Sequence, residues 1–263
     1  MAAVLAWVAA AVAAVSAPAA VAAGIQVDVV PNFVGAGLGS TTEYLGGKER
    51  VWGIAPGARV ALEKNRFVEV YGPLADMNLL DSPSWEFGPA ISYRFGRSDV
   101  SDAAISALPE IRGGLEAGVF AGWHYVSVEG IPYRVRFGVQ LVTAVSGGAT
   151  GANLTPYASL WFPLSPTLFV GLGGGFTWAS ESFMQQRFGV SADGAAASGL
   201  PQYSAGAGVR QYYAWPALLL RVSKEWYAGA GAFWQRIAGD GAGSPVVREK
   251  DQITAGVGVG YSW

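Results

Sequence analysis

The sequence predicts an all-β protein, a transmembrane antiparallel up-and-down β-barrel of about 12 strands, and three observations predict it. First, segment after segment alternates with a period of two: one parity is apolar and aromatic, the other is mostly Gly and Ala with a few charges. Second, mean hydropathy is high at +0.30 and only 14% of residues are charged, against roughly 25% in average globular domains. Yet beyond the first 23 residues no run approaches the ~18 consecutive apolar residues of a membrane helix. Third, aromatic residues stand at segment ends, and the chain itself ends on one, Trp263. A membrane barrel produces this combination because only every second residue of each strand faces lipid. A soluble β-sandwich also alternates, but its outer parity is polar and rich in Thr, Lys and Glu; here it is not.

The elements follow in chain order. Met1 to Ala23 carries no charge, is built mainly of Ala and Val, and ends Val21-Ala22-Ala23 with small residues where a signal peptidase reads. Residues 1–23 are therefore expected to be a cleaved secretory signal, although the usual Lys or Arg of its first part is missing, and 24–263 the barrel domain. From Ile25, the parity Ile25, Val27, Val29 and Phe33 opposes Gln26, Asp28 and Asn32, and polar Gly39 to Arg50 reads as a connection. Trp52 to Leu62 is a strand, Glu63-Lys64-Asn65-Arg66 a tight turn, and Phe67 to Leu80 a less regular strand. After Asp81-Ser82-Pro83-Ser84 come strands over Trp85–Gly96, Ile111–Tyr125, Tyr133–Thr143, Leu154–Phe162 and Leu168–Trp178. Ala205 to Ser223 reads as one long strand or as two broken near Trp215-Pro216, followed by Trp226–Ile237 and Ile253–Trp263. The total is 11 or 12, and 12 is chosen because single-chain bacterial barrels use even numbers, with 10 and 14 as neighbouring counts. Tight turns and long loops should alternate, and near residues 81–110 they do not.

Trp52, Trp85, Tyr125, Tyr133, Trp178, Trp226 and Trp263 suit aromatic girdles at the two membrane interfaces. Arg59, Glu86, Arg94, Arg112, Glu116, Arg134 and Arg136 fall on lumen parity. Buried charges need partners, which predicts an internal ion-pair network; a water-filled, cation-repelling constriction is the other reading.

A stretch of about 25 residues between Thr177 and Gly208 shows no alternation, and loops of that length are usually functional or mobile. It is placed outside the cell, folding over the mouth, with Arg187 as the tryptic site that would report this placement. Thr177-Trp178-Ala179, Phe188-Gly189-Val190, Ala197-Ser198-Gly199-Leu200-Pro201 with Tyr203, and Ala205-Gly206-Ala207-Gly208 resemble the pattern of the MipA/OmpV family of outer-membrane proteins. Gly88-Pro89-Ala90 with Tyr93-Arg94-Phe95-Gly96-Arg97, Ser244-Pro245, and Glu43-Tyr44-Leu45-Gly46 extend the resemblance over the mature chain. Arg187, which stands where the pattern has an aromatic, and Ala149, which replaces a histidine, depart from it, as does the first loop, which lacks the usual proline. The resemblance implies an outer-membrane barrel. For the founding member it implies a scaffold joining a lytic murein transglycosylase to a bifunctional penicillin-binding protein; other members are described as adhesins or stress-linked proteins.

Function classes narrow accordingly. A net charge of −2 offers no basic surplus for nucleic acid. Zero Cys excludes disulfides and thiolate metal sites. The single histidine, His124, sits on lumen parity between Trp123 and Tyr125 and has no nameable nucleophile beside it. No catalytic, cofactor-binding or metal residue is assigned. The expected partners are outer-membrane lipid, a murein transglycosylase and a penicillin-binding protein, and the expected role is a non-enzymatic scaffold or structural envelope protein. A small-solute pore or a surface adhesin is the alternative.

Overall fold

The computed structural model describes residues 30–263. The expected signal, residues 1–23, and the start of the first expected strand, Ile25 to Val29, lie outside the described residues. Twelve strands close on themselves, each paired antiparallel with its sequence neighbours and β1 with β12. They are β1 (Phe33–Thr42), β2 (Arg50–Ala61), β3 (Phe67–Tyr71), β4 (Leu74–Asn78), β5 (Trp85–Arg94), β6 (Gly114–Ser127), β7 (Tyr133–Ala144), β8 (Ala152–Pro163), β9 (Leu168–Ala179), β10 (Gly208–Arg221), β11 (Trp226–Ile237) and β12 (Asp251–Ser262). Closure satisfies every strand edge, which is what a lipid environment demands.

The strand count agrees with expectation, but the division of the chain does not. The segment from Phe67 to Leu80 is a hairpin, β3 and β4, turned at Gly72-Pro73, where Gly72 has φ +57°. The segment from Gly208 is one strand, β10. Pro216 has no N–H to give β11, so the β10–β11 register skips from Ala214 to Ala217, while Trp215 and Pro216 stay paired with β9. This hairpin also restores the alternation of connections. One end of the barrel carries the short turns 62–66, 79–84, 128–132, 164–167 and 222–225. The other carries 43–49, 72–73, 95–113, 145–151, 180–207 and 238–250.

Two boundaries are corrected by pairing. Strand β1 runs on through Gly39 to Thr42 because Gly39, Ser40 and Thr41 all pair with β2, and Phe33 faces inward opposite Arg59 while Val34 and Leu38 face out. Strand β6 begins only at Gly114; before it the ladder has dwindled to a single bridge between Arg97 and Ile111. Parity is not carried across that gap, and Arg112 is exposed in a loop instead of facing the lumen.

The outer face is apolar and bare: Trp52 is 72% and Ile54 79% exposed. Trp52 and Trp178 stand at the long-loop end, and Trp85, Tyr125, Tyr133, Trp226 and Trp263 at the short-turn end. Aromatics at both rims of an exposed apolar wall are the girdles of a membrane barrel. At the β1–β12 seam the inward parity is glycine on both strands, Gly35 opposite Gly260, Gly37 opposite Gly258 and Gly39 opposite Gly256. A Cβ on Gly35 would lie 2.5 Å from the Val259 carbonyl oxygen, so this seam closes tightly only without side chains.

Candidate functional site

Three short helices and four loops fill the mouth at the long-loop end. The connection after β5 contains α1 (Ala103–Ser106); the one after β9 contains α2 (Glu181–Phe188) and α3 (Ala192–Ser198). The stretch without alternation is thus helical rather than irregular. Ser191 caps α3 by accepting from the Gly194 N–H at 3.1 Å, and Gly199 ends it in the left-handed conformation at φ +73°. Phe183, Met184 and Phe188 of α2 pack with Ala179, Ala205 and Ile237, while Tyr44, Ile105, Leu108, Val190 and Val246 form a second core from four different loops. Hydrogen bonds cross between the loops. The Ser244 hydroxyl donates to the Phe188 carbonyl at 2.6 Å, Tyr203 to Asp240 at 2.7 Å, and Tyr44 to Val246 at 3.1 Å. Arg248 Nε lies 2.7 Å from Asp102 Oδ2, and that carboxylate also caps α1 through the Ala104 and Ile105 amides. These loops form one cap, not independent surface excursions. Arg187, expected to be open to trypsin, is only 6% exposed because it points inward from α2.

Below the cap, charged side chains stand at two heights, separated on the β5–β7 wall by buried Ala90, Phe120 and Val142. The lower set lies toward the short turns. Glu86, 2% exposed, accepts from or pairs with His124 Nδ1 at 2.9 Å, Arg136 Nη2 at 2.6 Å and Arg134 Nη2 at 3.8 Å. Arg136 Nη1 reaches Glu69 at 2.9 Å, Arg59 lies 3.9 Å from the same carboxylate, and Asp76 accepts from Gln140 at 3.3 Å. Three arginines face three carboxylates, the ion-pair network expected from lumen parity. Glu69 and Asp76 were missed because the hairpin that carries them reads as one irregular strand.

The upper set is not balanced. Glu116 is its one carboxylate; it accepts from Arg94, from Asn153 Nδ2 at 2.8 Å and from the Ser92 hydroxyl at 2.8 Å. Around it stand Arg94, Arg97, Arg187 and Arg210. Guanidinium carbons of Arg94, Arg210 and Arg187 lie 4.3, 4.8 and 6.0 Å from the centre of one ring, Phe183. The expected ion-pair network is the lower set, and an arginine excess stands above it. His124 belongs to the lower network, and no group of three or more His, Cys, Asp or Glu placed to hold a metal occurs among the described residues.

The family model described as MltA-interacting protein MipA matches residues 34–263. The chain belongs to the MipA family. No curated protein matches it. Among solved structures it is similar to the translocator domain of the autotransporter NalP from Neisseria meningitidis, with 13% identity, 93% of this chain and 92% of that one covered, and a TM-score of 0.43. It is also similar to the outer-membrane channel DcaP of Acinetobacter baumannii, with 8% identity, 89% and 96% coverage and a TM-score of 0.40. The CymD monoaromatic hydrocarbon channel gives 11% identity, 95% and 92% coverage and a TM-score of 0.36.

In this MipA-family barrel four of the motifs that carry the resemblance converge on the cap, while Gly88-Pro89-Ala90 and Thr177-Trp178-Ala179 lie in the wall strands β5 and β9. Glu43 to Gly46, Phe188-Gly189-Val190, the Ser198-Gly199-Leu200-Pro201 turn and Ser244-Pro245 are far apart in sequence and adjacent in the mouth. Electrostatics there follow from burial. Desolvation, with Asp102 adding to it, pushes the Tyr44 hydroxyl up to about 12. Desolvation first, then Arg94, Arg210 and Arg97, holds the Arg187 guanidinium down to about 9. The closed architecture, the lipid-facing wall and the family together identify an outer-membrane β-barrel protein.

Proposed function

We propose that this protein is a non-enzymatic, non-conducting barrel that serves the envelope as a scaffold or structural element, with a murein transglycosylase as its partner. The observation that carries the reading is the state of the lumen. It is crossed at one height by the Glu86–Arg136–Glu69 network and closed above by the cap. A lower network in which each arginine lies within 4 Å of a carboxylate, together with a packed cap, supports a filled barrel over an aqueous channel of the kind left in large porins. The partner is suggested by the family's description, an MltA-interacting protein, and a penicillin-binding protein would be the second client of such a scaffold. The test is co-purification from detergent-solubilised envelopes together with planar-bilayer recording. A transglycosylase retained by the barrel and silent bilayers are expected; steady conductance with no murein enzyme retained would overturn the reading in favour of a pore. For enzymatic activity the decisive residue is His124. Purified protein is expected to show no lipid hydrolysis, and an activity lost in His124→Ala would refute the non-enzymatic assignment.

A further inference from the structure

Of the four upper arginines only Arg94 has an ion-pair partner, Glu116, and a local irregularity of the sheet brings one of the other three in. Along β10, Arg210 shares sequence parity with Tyr212, Leu218 and Leu220, which are about half exposed on the lipid face. A bulge interrupts the β9–β10 register: Val209 pairs with Trp178 and Gln211 with Thr177, which leaves Arg210 as the extra residue. Bulges re-aim side chains, and this one turns the Arg210 guanidinium into the mouth, 4.8 Å from the Phe183 ring. Among the described residues Arg210 feels the Glu116 carboxylate but forms no ion pair with it, and its Nε is buried without a partner.

The neighbouring arginines are nearly as unspent. Arg187 donates Nη2 to the Phe95 carbonyl, and Arg97 reaches the Arg187 carbonyl at 3.3 Å and that of Pro109 at 3.4 Å. Both are 6% exposed, both keep a buried Nε unpaired, and neither meets an acid. Glu116 is already engaged by Arg94, Asn153 and Ser92. Carbonyl dipoles do not cancel full charges, and desolvated cations of one sign gathered without a counter-ion are unfavourable. Forked guanidinium donors fit planar and tetrahedral oxyanions best, through paired N–H bonds. Arg97, alone of the four, also lines a cavity of about 280 Å³ with Pro109, Glu110, Gln185 and Ser191.

We propose that the mouth of the barrel, beneath the cap, is a binding site for a compact oxyanion, the carboxylate or phosphate group of a small molecule. Arg210, Arg187 and Arg97 hold it, with the Arg94–Glu116 pair behind them. Bound there, the anion neutralises the arginines and ties α2 to the wall strands.

Folded full-length barrel in detergent tests the proposal, with inorganic phosphate and citrate as probes and chloride at equal ionic strength as control. Equilibrium dialysis should show saturable binding of one phosphate or citrate per barrel, and either probe should raise the thermal midpoint above its value in chloride. Arg210→Gln should weaken binding tenfold or more without lowering the midpoint in chloride, since among the described residues the Arg210 side chain makes no hydrogen bond for the fold to lose. Lys224→Gln, in a short turn at the opposite end, should bind as wild type. Absence of saturable binding by the unaltered protein, or wild-type binding by Arg210→Gln, would overturn the site. Should Arg210→Gln fail to fold, Arg187→Gln carries the same expectation for binding, though it also loses the bond to the Phe95 carbonyl, and dialysis of the unaltered protein decides without any variant. No murein enzyme enters these measurements, so their outcome is separate from that of the scaffold reading.

Discussion

Glu86 shows how much one buried side chain can hold. Its carboxylate is contacted by His124, Arg136 and Arg134, which reach it from two other strands, β6 and β7. Removing one partner of a buried charge cluster leaves the others uncompensated and typically costs about 3–5 kcal/mol. Glu86→Gln is therefore expected to destabilise the barrel by about 3–5 kcal/mol in urea unfolding from lipid vesicles, with the wild-type strand content retained before the transition. A loss under about 1 kcal/mol would mean that water already screens these charges in the lumen. Glu86, Arg134, Arg136 and His124 were all readable in the sequence as inward-facing, because a strand with a period of two assigns faces without reference to its neighbours. Which of them pair was not readable, since the partners come from different strands and pairing depends on register. Arg210 was not readable at all. A bulge reverses parity locally, and nothing in Val209-Arg210-Gln211 announces one.

At the scale of elements, the cap is assembled from pieces too short to stand alone. Helices of four to eight residues, such as α1 and α2, are unstable in isolation and depend on tertiary packing. Asp102 is the clearest tie, as N-cap of α1 and as ion-pair partner of Arg248 from the last loop. The Arg248 hydrogen bond, aided by the α1 amides, holds the Asp102 carboxyl below its ordinary value of 3.8. A carboxyl depressed in the folded state adds stability above its unfolded value and loses it as pH falls through the folded one. Corrected hydrogen-exchange protection of the Ala104 and Ile105 amides is thus expected to be flat from neutral pH to about 4 and to fall below that. In Asp102→Ala, which also removes the cap at a cost of about 1 kcal/mol, protection should be low at every pH. Unchanged protection in that variant would show that packing of Ile105 and Leu108 alone fixes α1. The end signals of α3, Ser191 and Gly199, stood in the sequence, but the surrounding run of Ala and Gly carries no apolar face, so the helix was hidden in what reads as a loop.

For the whole molecule, the separation of short turns from long connections assigns its two sides. Short turns in bacterial barrels lie on the periplasmic side and longer loops outside, which predicts that the cap stands at the cell surface and that both ends of the described chain lie in the periplasm. The chain contains no cysteine, so single cysteines report sidedness cleanly. Lys48→Cys, exposed in the loop after β1, should react with an impermeant maleimide in intact cells; Lys224→Cys, in the turn before β11, should react only after permeabilisation. The reverse pattern would invert the barrel. Arg187 is the wrong reporter because the cap buries it.

The sequence by itself determined the class of this protein: strands, a lipid-facing parity, aromatic rims, inward charges and membership of a family. Each follows from local periodicity or from a motif short enough to be read along the chain. Tertiary structure alone decided the rest. The hairpin at Gly72-Pro73 made the strand count come out even, the closure that brings β2 to β7 together made a neutral network of the lower charges, and four distant loops joined into one cap. Above all, the bulge at Arg210 and the inward turn of α2 gathered arginines that no periodicity places together. Faces are a property of one strand, whereas sites are a property of register, and register exists only once the barrel has closed.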